Sequence, residues 1–189
     1  MLIIISGFAG SGKSTLADSL GKELGLEVVH ASAILRDMST EGVDALKDAS
    51  HEKIKDWWES DEAKEFMKKR LQDGSLDRAL DKKLIEIADK GNVILDSWTM
   101  SYLYESGFKV WLDATPEERA KRVSDRDNLD YSEVLRKIID RDAETKSLYE
   151  RLYNFKMGEN LEKFDLVIHS DNLSKQDVFE QVLKKVKGD

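Results

Sequence analysis

Short apolar runs recur along the chain, and longer stretches with helical patterns separate them. The first run, residues 2–5, reads Leu-Ile-Ile-Ile, and later runs rich in Val, Ile, Leu or Phe occupy residues 26–30, 92–96, 108–113 and 164–169. A strand that is apolar at nearly every position is buried on both faces, as in a parallel sheet. The pattern therefore predicts an α/β fold in which a five-stranded parallel sheet carries helices on both faces.

Two helical stretches are longer than a single connection between strands requires. Residues 37–91 are strongly charged, and residues 119–160 carry basic side chains at regular places. The apolar positions of the first stretch include Trp57, Trp58, Phe66 and Met67. We interpret the two stretches as helical flaps that close over the site, one for each of two substrates. The alternative is that they are solvated helices packed around the sheet.

The turn after the first strand reads Gly-Phe-Ala-Gly-Ser-Gly-Lys-Ser at residues 7–14, a complete G-x-x-x-x-G-K-[ST] pattern. Such a turn, between a buried strand and a helix, presents backbone N–H groups and a helix N-terminus to an anion. Lys13 is suited to bridge the β- and γ-phosphates of a nucleoside triphosphate, and the Ser14 hydroxyl is suited to ligate Mg²⁺. The residues predicted to bind this nucleotide are Gly7, Phe8, Ala9, Gly10, Ser11, Gly12, Lys13, Ser14 and Thr15.

Basic side chains are the next candidates, because phosphoryl transfer requires charge neutralisation and alignment more than covalent help from the protein. Three arginines share one face of the helix that Pro116 opens: Arg119, Arg122 and Arg126. The series continues with Arg136, Arg141 and Lys146. A row of guanidinium groups facing the triphosphate would organise the γ-phosphoryl group. The alternative is a surface helix stabilised by pairs such as Glu118–Arg122.

The ends of the second and third strands provide candidates for an acceptor and a metal. Arg36 closes the segment Ala-Ser-Ala-Ile-Leu-Arg, where a second, phosphate-bearing substrate would face the loop. Asp96 ends the third strand, where a carboxylate can reach Mg²⁺ or its waters, although it could instead cap the next segment. The three histidines lack partners at metal-ligand spacing, so we expect packing or surface roles for His30, His51 and His169.

Composition narrows the range of partners. The chain of 189 residues suits one domain, and its formal net charge of −8 argues against nucleic-acid binding. It has no cysteine, which excludes disulfides and thiolate metal sites. The longest apolar run is far shorter than a membrane span, and Met1 leads directly into the first strand, which leaves no room for a secretion signal. We therefore expect a soluble cytoplasmic protein without a nucleic-acid or membrane partner.

Several further segments carry a more specific pattern. Residues 76–81 read Leu-Asp-Arg-Ala-Leu-Asp, residues 90–97 read Lys-Gly-Asn-Val-Ile-Leu-Asp-Ser, and Arg141-Asp142 leads to Lys146, Tyr149 and Tyr153. With the phosphate loop, residues 31–36 and the run that begins at residue 164, these segments resemble a nucleoside monophosphate kinase, most closely an archaeal-type cytidylate kinase. The resemblance covers most of the chain except roughly residues 40–72. It implies a P-loop NTPase fold with an acceptor-binding helical region at 37–91 and a lid at 119–160.

The departures from this family all fall on the acceptor side. Trp98 stands where the family usually has an arginine that helps to grip the monophosphate, and Ser32 stands where it usually has glycine. The region before Asp77 is also longer than usual. The donor side is therefore better matched than the acceptor side.

The resemblance implies Mg²⁺- and ATP-dependent phosphorylation of a nucleoside monophosphate, with CMP or dCMP first and UMP next. In that mechanism Ser14 and Asp96 bind Mg²⁺, and the acceptor is contacted by Arg36, Asp96 and Trp98. The residues that neutralise the transferring charge are Lys13, Arg119, Arg122, Arg126, Arg141 and Lys146. We expect a monomer, because the domain must open and close.

Two alternatives stay open at this point. One is a P-loop kinase for another small acceptor, in which Trp98 makes a stacking or apolar contact. The other is a nucleotide-binding switch or hydrolase whose acceptor site is remodelled into a surface for a partner.

Overall fold

The computed structural model describes residues 1–40, 68 and 70–188. His51 and the tryptophan pair Trp57-Trp58 lie outside this part of the chain, as does much of the stretch interpreted as the acceptor-binding flap. The strands are β1 (Leu2–Gly7), β2 (Glu27–His30), β3 (Val93–Asp96), β4 (Phe108–Asp113) and β5 (Leu166–His169). Each of the five predicted strands is present, and their bounds differ from the predicted ones by two residues at most.

All five strands are parallel and follow the order β2-β3-β1-β4-β5. The α/β fold with a five-stranded parallel sheet is thus confirmed. The register pairs both Ile5 and His30 with Asp96, and it pairs Gly7 with Leu112. The carboxyl ends of four strands therefore meet at one edge of the sheet, which is where ligands bind in open α/β folds.

The main helices are α1 (Lys13–Leu24), α2 (Ala31–Thr40), α3 (Ser75–Lys90), α4 (Met100–Leu103), α5 (Pro116–Asp127), α6 (Tyr131–Tyr153) and α7 (Lys175–Lys187), and Leu161–Lys163 form a short 3₁₀ helix. The Thr115 hydroxyl caps α5 by accepting from the Glu118 N–H, 3.3 Å away. The Glu118 carboxylate accepts from Arg122. No helix in the described ranges has both the length and the apolar character that a membrane span requires.

Helices cover both faces of the sheet because successive residues of a strand point to opposite sides. Ile3 and Ile5 of β1 pack with apolar residues of α1 and α7 on one side. Ile4 packs with residues of α2 and α3 on the other side. All three isoleucines are fully buried. The first strand is therefore the centre of both cores, and the loop that follows it is anchored from two sides.

Gly21 lies inside α1 at a point where β2 passes close to the helix. A Cβ built on this glycine would lie 2.3 Å from Cγ2 of Val28. Alanine normally favours a helix over glycine by about 1 kcal/mol, but a clash with a stiff β-branched side chain costs about 1–3 kcal/mol. We therefore expect Gly21→Ala to lower the free energy of unfolding measured in urea. Ser19→Ala, at an exposed position of the same helix, is the control, and equal or higher stability of Gly21→Ala would contradict the packing.

Candidate active site

The phosphate loop is pressed against β4 at its first residue. A Cβ on Gly7, whose φ is +151°, would lie 2.4 Å from the carbonyl oxygen of Leu112, so only glycine fits there. At the end of the loop, Nζ of Lys13 donates to the carbonyl oxygen of Phe8, 2.9 Å away. Burial lowers the pKa of Lys13 to about 8, although the charge of Asp96 opposes this shift. The loop thus holds its lysine in a dry position where an anion would stabilise the charge.

Asp96 is the carboxylate at the centre of this edge. Its Oδ2 accepts from the Ser14 hydroxyl at 2.6 Å and lies 3.0 Å from Nδ1 of His30. Burial raises the pKa of Asp96, but the hydrogen bond from His30 and the charge of Lys13 outweigh it, so that the pKa falls below its usual value. Asp96 is therefore ionised at neutral pH.

These groups suit a hard divalent cation. The Ser14 hydroxyl and the Asp96 carboxylate offer neighbouring oxygen ligands, which Mg²⁺ prefers. Among the residues that the structure describes, no group of three or more acidic, histidine or cysteine side chains is arranged to hold a metal. A cation here would therefore take its remaining ligands from phosphate oxygens and water, as Mg²⁺ commonly does in kinases.

His30 belongs to this centre, although only a packing or surface role was expected for it from the sequence. Its Nε2 lies 3.1 Å from Oδ1 of Asp18, so that the ring bridges two carboxylates. Burial lowers the pKa of His30, but the hydrogen bond and charge of Asp96 and the charge of Asp18 raise it above its ordinary value. One sequence signal was available: His30 and Asp96 end two strands that are neighbours in the sheet.

A cavity of about 170 Å³ opens beside the loop. Its walls come from the phosphate loop, the start of α2, the turn after β3, Arg70, one residue of α3 and two residues of α6. Lys13, Ser14 and Asp96 line it at one end, while Trp98 and Tyr149 provide aromatic surface. The cavity therefore joins the predicted donor site to the region predicted for the acceptor.

The three predicted arginines of α5 lie at increasing distances from the loop. Arg119 is buried, and its guanidinium donates to the carbonyl oxygens of Ala114 and Ala9 and to both carboxylate oxygens of Asp142. It also lies 5.3 Å from the ring centre of Phe8. Arg119 thus connects the phosphate loop to α6.

Arg122 and Arg126 have other partners. Arg122 donates to Glu118 and to the hydroxyl and carbonyl oxygens of Ser170, at the end of β5. Arg126 is largely exposed and pairs with Asp127, 2.7 Å away. A shared helix face does not bring side chains to one point, because Arg126 lies about 10 Å along the helix axis from Arg119. The catalytic roles of Arg122 and Arg126 stay predictions.

Arg141 and Lys146 of α6 do reach the region of the loop. Arg141 lines the cavity, and its Cζ lies 5.3 Å from the ring centre of Trp98. Burial and the nearby charge of Arg70 lower the pKa of Arg141 to about 10, so it stays charged at neutral pH. Nζ of Lys146 lies 5.0 Å from the ring centre of Phe8. Arg136 is exposed.

Arg36 is buried on α2, and its guanidinium donates twice to Oδ1 of Asp37, at 3.1 and 2.9 Å. Its helix neighbours Ser32 and Leu35 line the cavity, but Arg36 is not part of the wall that the described residues form. Its role at the acceptor phosphate therefore stays a prediction.

Arg70 is a site residue that the sequence did not indicate. Its guanidinium makes three hydrogen bonds to Asp77, the shortest at 2.6 Å, and one of 2.7 Å to the Tyr149 hydroxyl. It lines the cavity and is almost fully buried. Arg70 lies in the part of the chain that the family resemblance did not cover, whereas its partners Asp77 and Tyr149 belong to matched segments.

Asp81, one turn after Asp77 on α3, makes a second connection from α3 to α6 and also contacts the turn after β3. Its carboxylate accepts from the Thr99 hydroxyl and from the Tyr153 hydroxyl, both at 2.5 Å. Burial raises the pKa of Asp81 to about 6, although the two hydrogen bonds act to lower it. The pair Asp77 and Asp81 thus ties α3 to α6 and to the turn after β3.

The fold and the loop are those of a P-loop NTPase. A shikimate kinase from Bacteroides thetaiotaomicron superposes with a TM-score of 0.57 and 16% identity, covering 100% of this chain and 98% of that one. A deoxyadenosine kinase from M. mycoides, solved with bound dATP, has a TM-score of 0.50 and 16% identity, with coverage of 99% and 100%. At these identities the structural likeness shows the fold alone.

The family follows from sequence similarity. Residues 2–172 match the family model of the cytidylate kinase-like family. A cytidylate kinase from Ignicoccus hospitalis is 32% identical over 184 residues, which is 96% of each chain. One from Methanocaldococcus jannaschii is 32% identical over 185 residues, 95% of this chain and 93% of that one. The chain belongs to the cytidylate kinase-like family and is a nucleoside monophosphate kinase.

The raised pKa of Asp81 predicts a pH-dependent stability. Between the usual value of 3.8 and about 6, the folded protein binds more protons at this carboxyl than the unfolded chain does. The free energy of unfolding should therefore fall as pH rises through this window, by at most about 3 kcal/mol. Asp81→Asn cannot titrate and should lose this component. Urea unfolding of both proteins at several pH values tests this, and a stability difference that is constant with pH would contradict it.

Proposed function

We propose that this protein transfers the γ-phosphoryl group of ATP, with Mg²⁺, to CMP or dCMP, and less readily to UMP. The observation that carries the proposal is one cavity whose lining includes Lys13 and Ser14 of the phosphate loop and Asp96, and also Ser32 and Trp98 from the region predicted for the acceptor. The names of the archaeal relatives support cytidylate as the acceptor.

On the donor side, the backbone N–H groups of the loop and Lys13 bind the triphosphate. Ser14 and Asp96 would hold Mg²⁺, which when bound supplies charge neutralisation on the phosphate oxygens. His30 keeps the Asp96 carboxylate oriented and ionised. The ionised carboxylate is the form that a cation requires.

On the acceptor side, the hydroxyl-bearing residues Ser32, Ser97 and Thr99 line the cavity together with Leu35 and Leu80. Hydroxyl groups can donate to and accept from a base or a sugar, while the leucines offer apolar contact. Thr99 already donates to the buried Asp81. This mixture of a few polar groups and apolar surface is typical of sites that bind small molecules.

Residues 119–160 would act as the lid. Arg119, Arg141 and Lys146 bring three positive charges from this segment towards the loop. Closure would surround the transferring phosphoryl group with cations and exclude water, which strengthens their electrostatic effect. Arg122 donates to Ser170 and would anchor the base of the lid.

The direct experiment measures ADP formation from Mg·ATP with CMP, dCMP, UMP, AMP or GMP, and without an acceptor. We expect strong stimulation by CMP or dCMP. Lys13→Ala should reduce the turnover by about 100-fold or more, because a preorganised charge at the phosphates is lost, while circular dichroism shows an unchanged fold. ADP formation that no monophosphate stimulates would contradict the proposal and favour a hydrolase, a switch or a kinase for another acceptor.

Two basic residues of α5 offer a matched comparison. Arg119→Lys replaces a buried guanidinium group that contacts the phosphate loop and Asp142, so we expect kcat to fall by about tenfold or more. Lys121→Gln changes an exposed side chain of the same helix that has no predicted role, and it should leave kcat within about twofold. Equal losses in both variants would place the catalytic contribution of this helix elsewhere.

A further inference from the structure

The turn after β3 places Trp98 against two guanidinium groups from distant parts of the chain. Cζ of Arg70 lies 5.9 Å from the centre of the Trp98 ring, and Cζ of Arg141 lies 5.3 Å from it. All three residues line the cavity beside the phosphate loop. An aromatic face attracts a guanidinium group through its π electrons rather than through the in-plane N–H donors. The indole ring is thus a common platform for the two cations.

Contacts from α3 and α6 hold the platform in place. Asp77 and Tyr149 hold the Arg70 guanidinium from α3 and α6, and the Trp98 ring makes an edge contact with Tyr149, with centres 6.4 Å apart. Arg141 comes from α6, one residue before the Asp142 that pairs with Arg119. The indole ring therefore sets the position of Arg141 relative to Arg70, across the junction between the lid helix and α3.

Two positive charges held close together in a buried cavity repel each other. Burial lowers the pKa of Arg141 to about 10, and the charge of Arg70 is the next largest cause. Asp77 offsets the charge of Arg70. An anion bound in the cavity that both arginines line would relieve the repulsion, because opposite charge favours the charged form of each guanidinium group. The cavity is therefore better suited to bind an anionic ligand than to bind a neutral ligand or to stay empty.

We propose that Trp98 is a positioning residue that holds Arg70 and Arg141 together as the binding site for the phosphate of the acceptor. The inference rests on the proposed function and names the residues by which the monophosphate is bound. A phosphate monoester matches the site because it carries up to two negative charges and three terminal oxygens. Trp98 acts through the arginines: its ring supplies their orientation, and they supply the charge.

The test compares Trp98→Leu, which removes the ring, with Trp98→Phe, which keeps an aromatic face. The control is Phe155→Leu, which removes a ring from the same aromatic cluster outside the cavity wall. With the donor site filled by Mg²⁺ and a non-hydrolysable ATP analogue, calorimetry measures the binding of CMP, cytidine and inorganic phosphate. Steady-state kinetics give KM for CMP and for ATP, and thermal unfolding verifies that each variant is folded.

We expect Trp98→Leu to lower the affinity for CMP and for phosphate at least tenfold, and to raise the KM for CMP by the same factor. Cytidine affinity and the KM for ATP should stay within about twofold, and Trp98→Phe should recover most of the loss. The Phe155→Leu control should bind all three ligands as the wild type does. In an Arg141→Met background, Trp98→Leu should have a smaller effect, because both substitutions remove the same interaction.

Three results would overturn the inference. An equal loss of cytidine affinity in Trp98→Leu would mean that the ring contacts the base. Unchanged CMP and phosphate affinity in a folded Trp98→Leu would mean that Arg70 serves only the ion pair with Asp77. A wild type that binds no phosphate once the donor site is filled would exclude the anion site. By contrast, phosphate binding that depends on Trp98 without turnover of any monophosphate would support the inference and overturn the proposed function.

Discussion

The whole site is organised around one buried carboxylate, whose negative charge must be paired and hydrogen-bonded. Asp96 is almost fully removed from water, and a buried charge is tolerated only when it is paired and hydrogen-bonded. Its partners are the Ser14 hydroxyl, the His30 ring and the charge of Lys13, which belong to the phosphate loop, the start of α1 and the end of β2. Three consecutive strands of the sheet must therefore be in register before this carboxylate is satisfied, so the same contacts specify both the fold and the donor site.

A second set of polar contacts joins α6 to the rest of the molecule. Along α6, Asp142 pairs with Arg119, Tyr149 bonds to Arg70, and Tyr153 bonds to Asp81. Hydrogen bonds and ion pairs are directional and can be exchanged for contacts with water or with a ligand, whereas interdigitated apolar packing cannot be exchanged in this way. This face of α6 is thus suited to change its contacts when a charged substrate enters.

The elements were predictable from local pattern, and the site was predictable only in part. Apolar runs identify buried parallel strands, and the glycine-rich turn identifies the nucleotide loop, because both signals are local. The roles of His30 and Arg70 depend on partners far away in sequence, which no spacing reveals. The row Arg119, Arg122 and Arg126 shares a helix face, yet each guanidinium finds its own partner because long side chains follow local charge rather than the helical period.

The strand order has a consequence for how the protein is made. The first strand of the sequence is the central one, and Ile3 and Ile5 pair with residues much further along the chain, such as Ile94 and Val110. During synthesis this apolar strand leaves the ribosome long before either neighbour exists. The strand that leads into the phosphate loop is thus the first of the five strands to be made, and it is buried only after both of its neighbours have been made. Until then its apolar side chains are exposed to aggregation.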